Sequence, residues 1–477
     1  MAGTFSPKMS IMVVGAYTSA PHAAERASRN SQRDTLRPSS QGTLIEKGLQ
    51  RSMTEDIDRD IAIRVIEAFE SGRLDYLFAE TNIQYFDRAD FEGMRFGTGL
   101  PRDSIWRLLA SVRRATGLVV FESAWGDAQV RVSLTAQLLK ALSEIDTWPR
   151  RSLFGRSGLP ADEEGIVRDR LLVEEATLIG LFKTGADPTA SAALEEVRTS
   201  VIASVYDGIP PADEASSIAT RFYEISRELP HLLNDPPTPD DIRGIHARLR
   251  GDAPDAGRFR TAAGDPDGLR SAPGVAPERI EREMDMLCAY AGSTDVPFIH
   301  PLIKSIAIAW WIRYVQPFDE YNYLVGRLVS LGWIVHQGYT LLGIADPHYR
   351  FKSATVASGD QTAKFIRHLE VIRDAASLGE ERLEERVERY ASVMGRFGHL
   401  DINHRQAFIL DRATQRPDTE FTIKHHARTR QLSYETARQD LLRLVEMGYL
   451  EQSKRGRAFV FTLARAAASR FGRDARR

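Results

Sequence analysis

One cysteine, Cys288, stands in 477 residues. A single thiol excludes any internal disulfide and any zinc cage built on several cysteines, and it agrees with a reducing, cytoplasmic setting. Long hydrophobic runs are missing too. The most apolar stretch, Phe298 to Val315, is interrupted by His300, Lys304 and Arg313, so no membrane-spanning helix is expected. The run Ile11 to Val14 is too short and too weakly flanked to be a secretory signal. Gly97-Thr98-Gly99 lacks the third glycine of a dinucleotide loop, and no Gly-x-x-x-x-Gly-Lys-Ser/Thr occurs. Neither sign of charge dominates. Lys and Arg number 63 against 65 Asp and Glu, a net of −2, which excludes a chain that is basic throughout. What remains is an ordinary globular composition, 43% hydrophobic and 27% charged, long enough for roughly three domains at ~150 residues each.

Residues 1–52 are rich in Ser, Ala, Arg and Gln without apolar period and read as a disordered N-terminal segment, with Met53 an alternative start. A helical region follows at 53–165. Ile61, Val65, Ile66 and Phe69 suit one helical face, and Ile105, Leu108, Leu109 and Val112 repeat the pattern after Pro101. A larger helical domain is expected at 166–376. Its helical spacing runs from Val167 to Tyr206 with a break near Gly185 to Pro188, then from Ala215 to Leu229. Thr238 is a natural N-cap, with Asp240 and Asp241 in the first turn. The Gly- and Pro-rich stretch 251–277 reads as a long surface loop. Beyond it, Leu302 to Tyr314 and Leu324 to Val335 are apolar on all sides and mark a buried centre. Trp310 and Trp311 belong to that core, and His300 and His336 pack beside it. Alternating charges from Glu380 to Arg389 predict a solvated linker helix at 377–402.

From Asn403 onward the charge changes: 14 Arg and 2 Lys face 8 acids, a net of +8, which leaves −10 on the first 402 residues. Residues 403–465 predict helix, short strand, helix, turn, helix and a Gly-tipped basic hairpin, followed by a basic tail at 466–477. Ser433 to Leu441 resembles the recognition helix of bacterial winged-helix regulators, whose pattern is Ser-x-x-Thr-Ala-x-x-Asp-Leu. That resemblance implies DNA binding. Arg438 and Arg443 would face base edges or phosphates, and Lys454, Arg455 and Arg457 on the wing would reach the backbone. The alternative use of such a module is protein contact or homodimer formation. His425-His426 has no metal-ligand partner at useful spacing and is expected at the surface or on a phosphate.

The stretch Gln316-Pro317-Phe318-Asp319-Glu320-Tyr321-Asn322-Tyr323-Leu324-Val325-Gly326-Arg327 resembles the signature of the Fic/Doc (Fido) family of nucleotidyltransferases, His-Pro-Phe-x-Asp/Glu-Gly-Asn-Gly-Arg-x-x-Arg. Asn82 to Arg114 resembles the N-terminal region of multidomain Fic proteins. Gly257-Arg258-Phe259-Arg260 resembles the segment before their target-docking flap. The fold implied is mainly α, a Fido helical domain with an N-terminal helical region and a C-terminal winged helix. Five motif positions stand in register, Pro317, Phe318, Glu320, Asn322 and Arg327. Four depart: Gln316 replaces the histidine, Tyr321 and Tyr323 the glycines, and Leu324 the first arginine.

In the family, the histidine takes a proton from a target hydroxyl as it attacks the α-phosphate of ATP. Gln316 cannot accept that proton, and losing a general base lowers rates by ~10²–10⁴. Tyrosines would resist the positive φ that glycines allow and would fill the phosphate space. The resemblance assigns Glu320 to Mg²⁺ and Asn322 and Arg327 to nucleotide, with Mg²⁺ and ATP as cofactors if nucleotide binding survives and none otherwise. It makes 257–277 the place for a protein target. Many family members also carry an inhibitory helix, Ser/Thr-x-x-x-Glu-Gly. The counterpart here is Glu174 to Lys183, with Phe182 and Lys183 where Glu-Gly is expected. The sequence therefore predicts a pseudoenzyme of the Fic protein adenylyltransferase family acting in regulation. The alternative is an active transferase of AMP with a non-standard motif.

Overall fold

A computed structural model of the chain describes residues 59–95, 97–151, 154–187, 190–263, 274–293, 297–339, 359–456 and 458–474. The chain divides between Arg59 and Asp60, and every described residue but Arg59, the first of the opening helix, lies in the second unit. The expected N-terminal segment 1–52, Met53, the centre of the 257–277 loop and Arg457 lie outside the described residues.

Helices dominate. The N-terminal region comprises α1 (Arg59–Glu70), α2 (Asp75–Ile83), α3 (Arg88–Gly93) and α4 (Arg102–Thr116), then the antiparallel pair β1 (Leu118–Glu122) and β2 (Gln129–Val132), then α5 (Ala136–Arg151). A two-residue strand from far along the chain, β3 (Gly359–Asp360), pairs in parallel with β2 and completes the order β1-β2-β3. The central body follows: α6 (Ala161–Lys183), α7 (Ser191–Ile202) with a π-helical turn at Ala203–Asp207, α8 (Glu214–Leu232), α9 (Pro239–Arg250), α10 (Ile280–Gly292), α11 (Pro301–Val315) and α12 (Asn322–His336). Thr238 caps α9 as its sequence predicts. Its hydroxyl accepts from the Asp241 N–H at 3.2 Å, and the Asp241 carboxylate accepts from the Thr238 N–H at 2.8 Å. Trp310 and Trp311 of α11 and Leu324 and Trp333 of α12 lie in one core with Phe222 of α8 and Met284 of α10. That core puts the motif loop, 316–321, between two buried helices.

The charged linker helix is corrected by the structure. One helix, α13 (Thr362–Phe397), runs for 36 residues without a break at 377. Its first turns bury Phe365, Ile366 and Leu369 in the body, and its last turns bury Val393 and Phe397 in the C-terminal core. Nor is its charged stretch wholly solvated: Leu383 is buried and Arg386 reaches Glu163 of α6. The C-terminal module comprises α14 (His404–Gln415), α15 (Ile423–Arg430), α16 (Tyr434–Glu446), the hairpin β4 (Leu450–Arg455) and β5 (Ala458–Leu463), and α17 (Arg465–Asp474). Ser433 caps α16 by accepting from the Thr436 N–H at 3.0 Å. The described part of the expected basic tail is helical and buries Ala467 and Phe471, because α17 closes this second core. Among the described residues no helix is long and apolar enough to cross a membrane.

Candidate functional site

The loop that joins α11 to α12 is held in place by polar contacts with its own backbone and with the segment after α9. Gln316 ends α11 at φ 48° and Tyr321 opens α12 at φ 65°, both left-handed. A non-glycine residue adopts that region at a cost of about 1–2 kcal/mol, so packing must hold it there. This corrects the expectation that tyrosine would resist positive φ at position 321: its ring is buried and flanked by two cations. Between these positions Phe318 is wholly buried and stacks on His246, centroids 3.9 Å apart and planes 8° from parallel. The His246 Nδ1 accepts from the Gly257 N–H at 3.0 Å, and burial lowers its pKa to about 4, so the ring is neutral. Arg260 ties the loop from the other side. Its guanidinium donates to the carbonyls of Gln316, Val315, Val275 and Ala262, and its N–H to the Pro317 carbonyl at 2.9 Å. Gly274 is required by this closeness, since a Cβ there would lie 2.7 Å from the Val315 carbonyl oxygen.

The structure brings Gln316, Glu320, Asn322 and Arg327 together on this loop and the helix that follows, but each is engaged within the protein. Asn322 is fully buried: its Oδ1 accepts from the Phe318 N–H at 2.9 Å and its Nδ2 donates to the Phe318 carbonyl at 2.8 Å. It staples the loop. Glu320, 44% exposed at its side chain, lies 3.7 Å from Lys183 and 3.6 Å from Arg250, and Arg250 is itself held by both oxygens of Asp255. Arg327 is clamped by Glu175, fully buried on α6, with Nε to Oε1 at 2.8 Å. Burial works against the Arg327 charge, but Glu175 and the Tyr323 hydroxyl more than compensate and raise its pKa. Tyr323 packs against Phe182 at 5.8 Å with Arg313 over its face at 5.3 Å, and Leu324 is core.

The acid partner of Arg327 lies two helical turns before the place that motif spacing suggested. The signal was present in Glu174-Glu175-Ala176, but the crossing of α6 over α12 decides which acid meets the arginine. At the suggested place, Phe182 meets Tyr323 and Lys183 meets Glu320.

Magnesium does not fit this donor set. A divalent cation at Glu320 would sit against the Lys183 ammonium and the Arg250 guanidinium, with one carboxylate to hold it. Among the described residues, one group of His, Asp and Glu atoms is close enough to share a cation: Asp162, Glu163 and His404. Arg386 and Arg430 already bind Glu163, and Arg430 lies 3.2 Å from Asp162. Cys288 is buried on α10, and burial pushes its thiol up to about 12, so it offers no thiolate near neutral pH.

On the C-terminal module, Arg438 is exposed on α16 and pairs with Glu435 one turn earlier at 3.0 Å. Arg443 pairs with Asp401 at 3.2 Å, Arg455 with Glu420 at 2.7 Å, and Lys454 is exposed on β4. Asp440 is buried and locks the module internally. Burial works against its charge, but His426, Arg405 and Asn403 hold its carboxyl well below the usual range. His426 is thus a buried partner of Asp440, and His425 meets Asp207 of the body at 2.7 Å. His300 and His336 pack beside the core, with Asp146 and the Leu233 carbonyl as partners.

The decisive combination is a Pro-Phe-x-Glu-x-Asn loop between two buried helices with an arginine one turn into the second. Residues 236–331 match the model of the Fic/DOC family. The Fic/DOC segment holds Gln316, Glu320, Asn322 and Arg327, and the C-terminal module lies beyond it. Among solved structures, a Fic family protein from Desulfovibrio desulfuricans G20 is similar at 18% identity, covering 69% of this chain and 97% of that one with a TM-score of 0.35. Two chains of Fic-1 from C. elegans are similar at 15% and 16% identity. The first covers 74% of this chain and 100% of its own at a TM-score of 0.39, the second 75% and 99% at 0.36. No curated protein matches.

Proposed function

We propose that the protein is a Fic-fold scaffold that has lost nucleotidyl transfer and acts as a cytoplasmic regulatory protein, its C-terminal module folding as a winged helix that contacts DNA. One observation carries the first half: every group the motif would offer to nucleotide is committed elsewhere. Gln316 has no basic nitrogen to take a target proton. Asn322 staples the loop, Glu175 clamps Arg327, and Lys183 and Arg250 flank Glu320. The +8 charge of the module and the exposed Arg438 support the second half. On this reading the protein has no resident magnesium or ATP, and any protein partner at 257–277 is bound rather than modified.

The test is transfer of label from α-phosphate-labelled ATP with Mg²⁺ to the protein itself or to lysate proteins. No transfer is expected, and Gln316→His alone should not restore it, because the phosphate space stays filled by Tyr321 and Tyr323. Robust transfer abolished by Glu320→Ala would instead establish an active transferase with Glu320 or Asp319 as base. For the DNA half, Arg438→Ala is expected to weaken duplex binding by roughly 5- to 150-fold, the range of one base-edge contact.

A further inference from the structure

Helix α15 carries five cationic or ionisable side chains in eight residues. His426 turns to Asp440 of its own module, and the other four, Lys424, His425, Arg428 and Arg430, are each met by an oxygen of the body. Lys424 donates to the Asp207 carbonyl at 2.8 Å, and His425 Nδ1 lies 2.7 Å from the Asp207 carboxylate. Arg428 donates to the Val205 carbonyl at 3.2 Å, and Arg430 binds Glu163 and Asp162. Three of these contacts converge on the π-helical turn Ala203–Asp207, which ends on Gly208 in the left-handed conformation. The approach is close: a Cβ at Gly208 would lie 2.5 Å from the Lys424 Nζ and 3.1 Å from the Arg428 Nη1.

In a helix-turn-helix pair the second helix enters the major groove while the first crosses the phosphate backbone, where its cations are useful. Helix α15 is the first helix of such a pair, and α16 is the second. The turn offers α15 a short row of acceptor oxygens in place of a phosphate backbone, two main-chain carbonyls and one carboxylate. We infer that this face of α15 is a phosphate-contacting surface, and that the acidic body covers it in competition with duplex DNA. The inference rests on the reading that the module binds DNA. Charge segregation favours the competition, with −10 on the first 402 residues and +8 beyond them. So does the character of the contacts. Lys424 and Arg428 are exposed residues, and the Asp207 side chain is 37% exposed, so salt screens this part of the dock and a polyanion can displace it. Arg430 with Glu163 is buried and acts as the anchor.

The experiment measures fluorescence anisotropy of a random-sequence duplex of about 20 base pairs against the full-length protein from about 50 to 200 mM KCl. Asp207→Asn and Asp207→Ala are expected to bind about tenfold tighter than wild type. Lys424 and Arg428 are held by main-chain carbonyls that these substitutions leave in place. It is loss of the Asp207 carboxylate, the charge that draws α15 to the turn, that lets phosphate displace those carbonyls. The log–log salt slope should then be steeper by about two, one increment of ~0.9 for each phosphate that Lys424 and Arg428 meet. Adding Lys424→Ala and Arg428→Ala to Asp207→Asn should cancel both gains. Glu196→Gln removes an exposed body acid that is not among the partners of α15 given above and should change neither quantity. Unchanged melting of each variant confirms folding. Equal affinity and slope for wild type and both Asp207 variants, with Arg438→Ala still weakening all three, would overturn the competition and leave the DNA reading intact. Absence of duplex binding by every variant would overturn the DNA reading and the competition with it.

Discussion

His246 shows how one side chain couples the motif loop to pH. The ring is fully buried against Phe318, and burial lowers its pKa from 6.5 to about 4. Between those values the unfolded chain binds a proton that the folded one refuses, so stability falls as pH drops from 6.5 and the loss is complete below about 4. The shift corresponds to about 3 kcal/mol at most. Urea unfolding at pH 7.5, 6 and 4.5 should show this slope in wild type and a shallower one in His246→Phe, which keeps the stack on Phe318. His368 is also lowered to about 4 by burial but is common to both proteins, so their difference isolates His246. Equal slopes would show that the His246 ring does not carry this pH dependence. Residues at this scale were partly legible: the motif pattern located Gln316, Glu320, Asn322 and Arg327. Their engagement was not, because Glu175, Lys183 and Arg250 come from helices whose crossings no local pattern encodes.

Helix α6 is the element on which the site depends. Over 23 residues it supplies Asp162 and Glu163 to the C-terminal module, Glu175 to Arg327, and Lys183 to Glu320. Its register against α8 is set at Gly180, where an added Cβ would meet the Ala215 carbonyl oxygen at 2.2 Å and the Ala219 Cβ at 3.1 Å. Both are parts of a packed helix rather than the ends of flexible side chains. Gly180→Ala is therefore expected to destabilise the protein by about 1–3 kcal/mol despite the better helix propensity of alanine. A variant as stable as wild type would show that the helices separate freely. Caps made the ends of α9 and α16 legible, through Thr238 and Ser433. The continuity of α13 through Gly379 was not legible, nor was the π-helical turn after α7, because both are decided by packing against partners distant in sequence.

At the scale of the whole molecule, near-neutrality is a cancellation between an acidic body and a basic module, and the charge boundary near 403 is where the sequence suggests a domain edge. Packing puts the edge elsewhere. Val393 and Phe397, on the body side of that boundary, are 1% and 0% exposed and belong to the core that holds Leu410, Leu441 and Phe461. A chain ending at 402 would expose both, forfeiting about 4 kcal/mol of burial and leaving an apolar strip at a helix end. It should elute as larger species in size-exclusion chromatography, whereas monomeric elution at high concentration would show that the body closes without the module. Helix α13 thus belongs to two cores at once. Any recombination that exchanged the module at the charge boundary would split a core in two, so an interchangeable cassette must carry the second half of α13 with it.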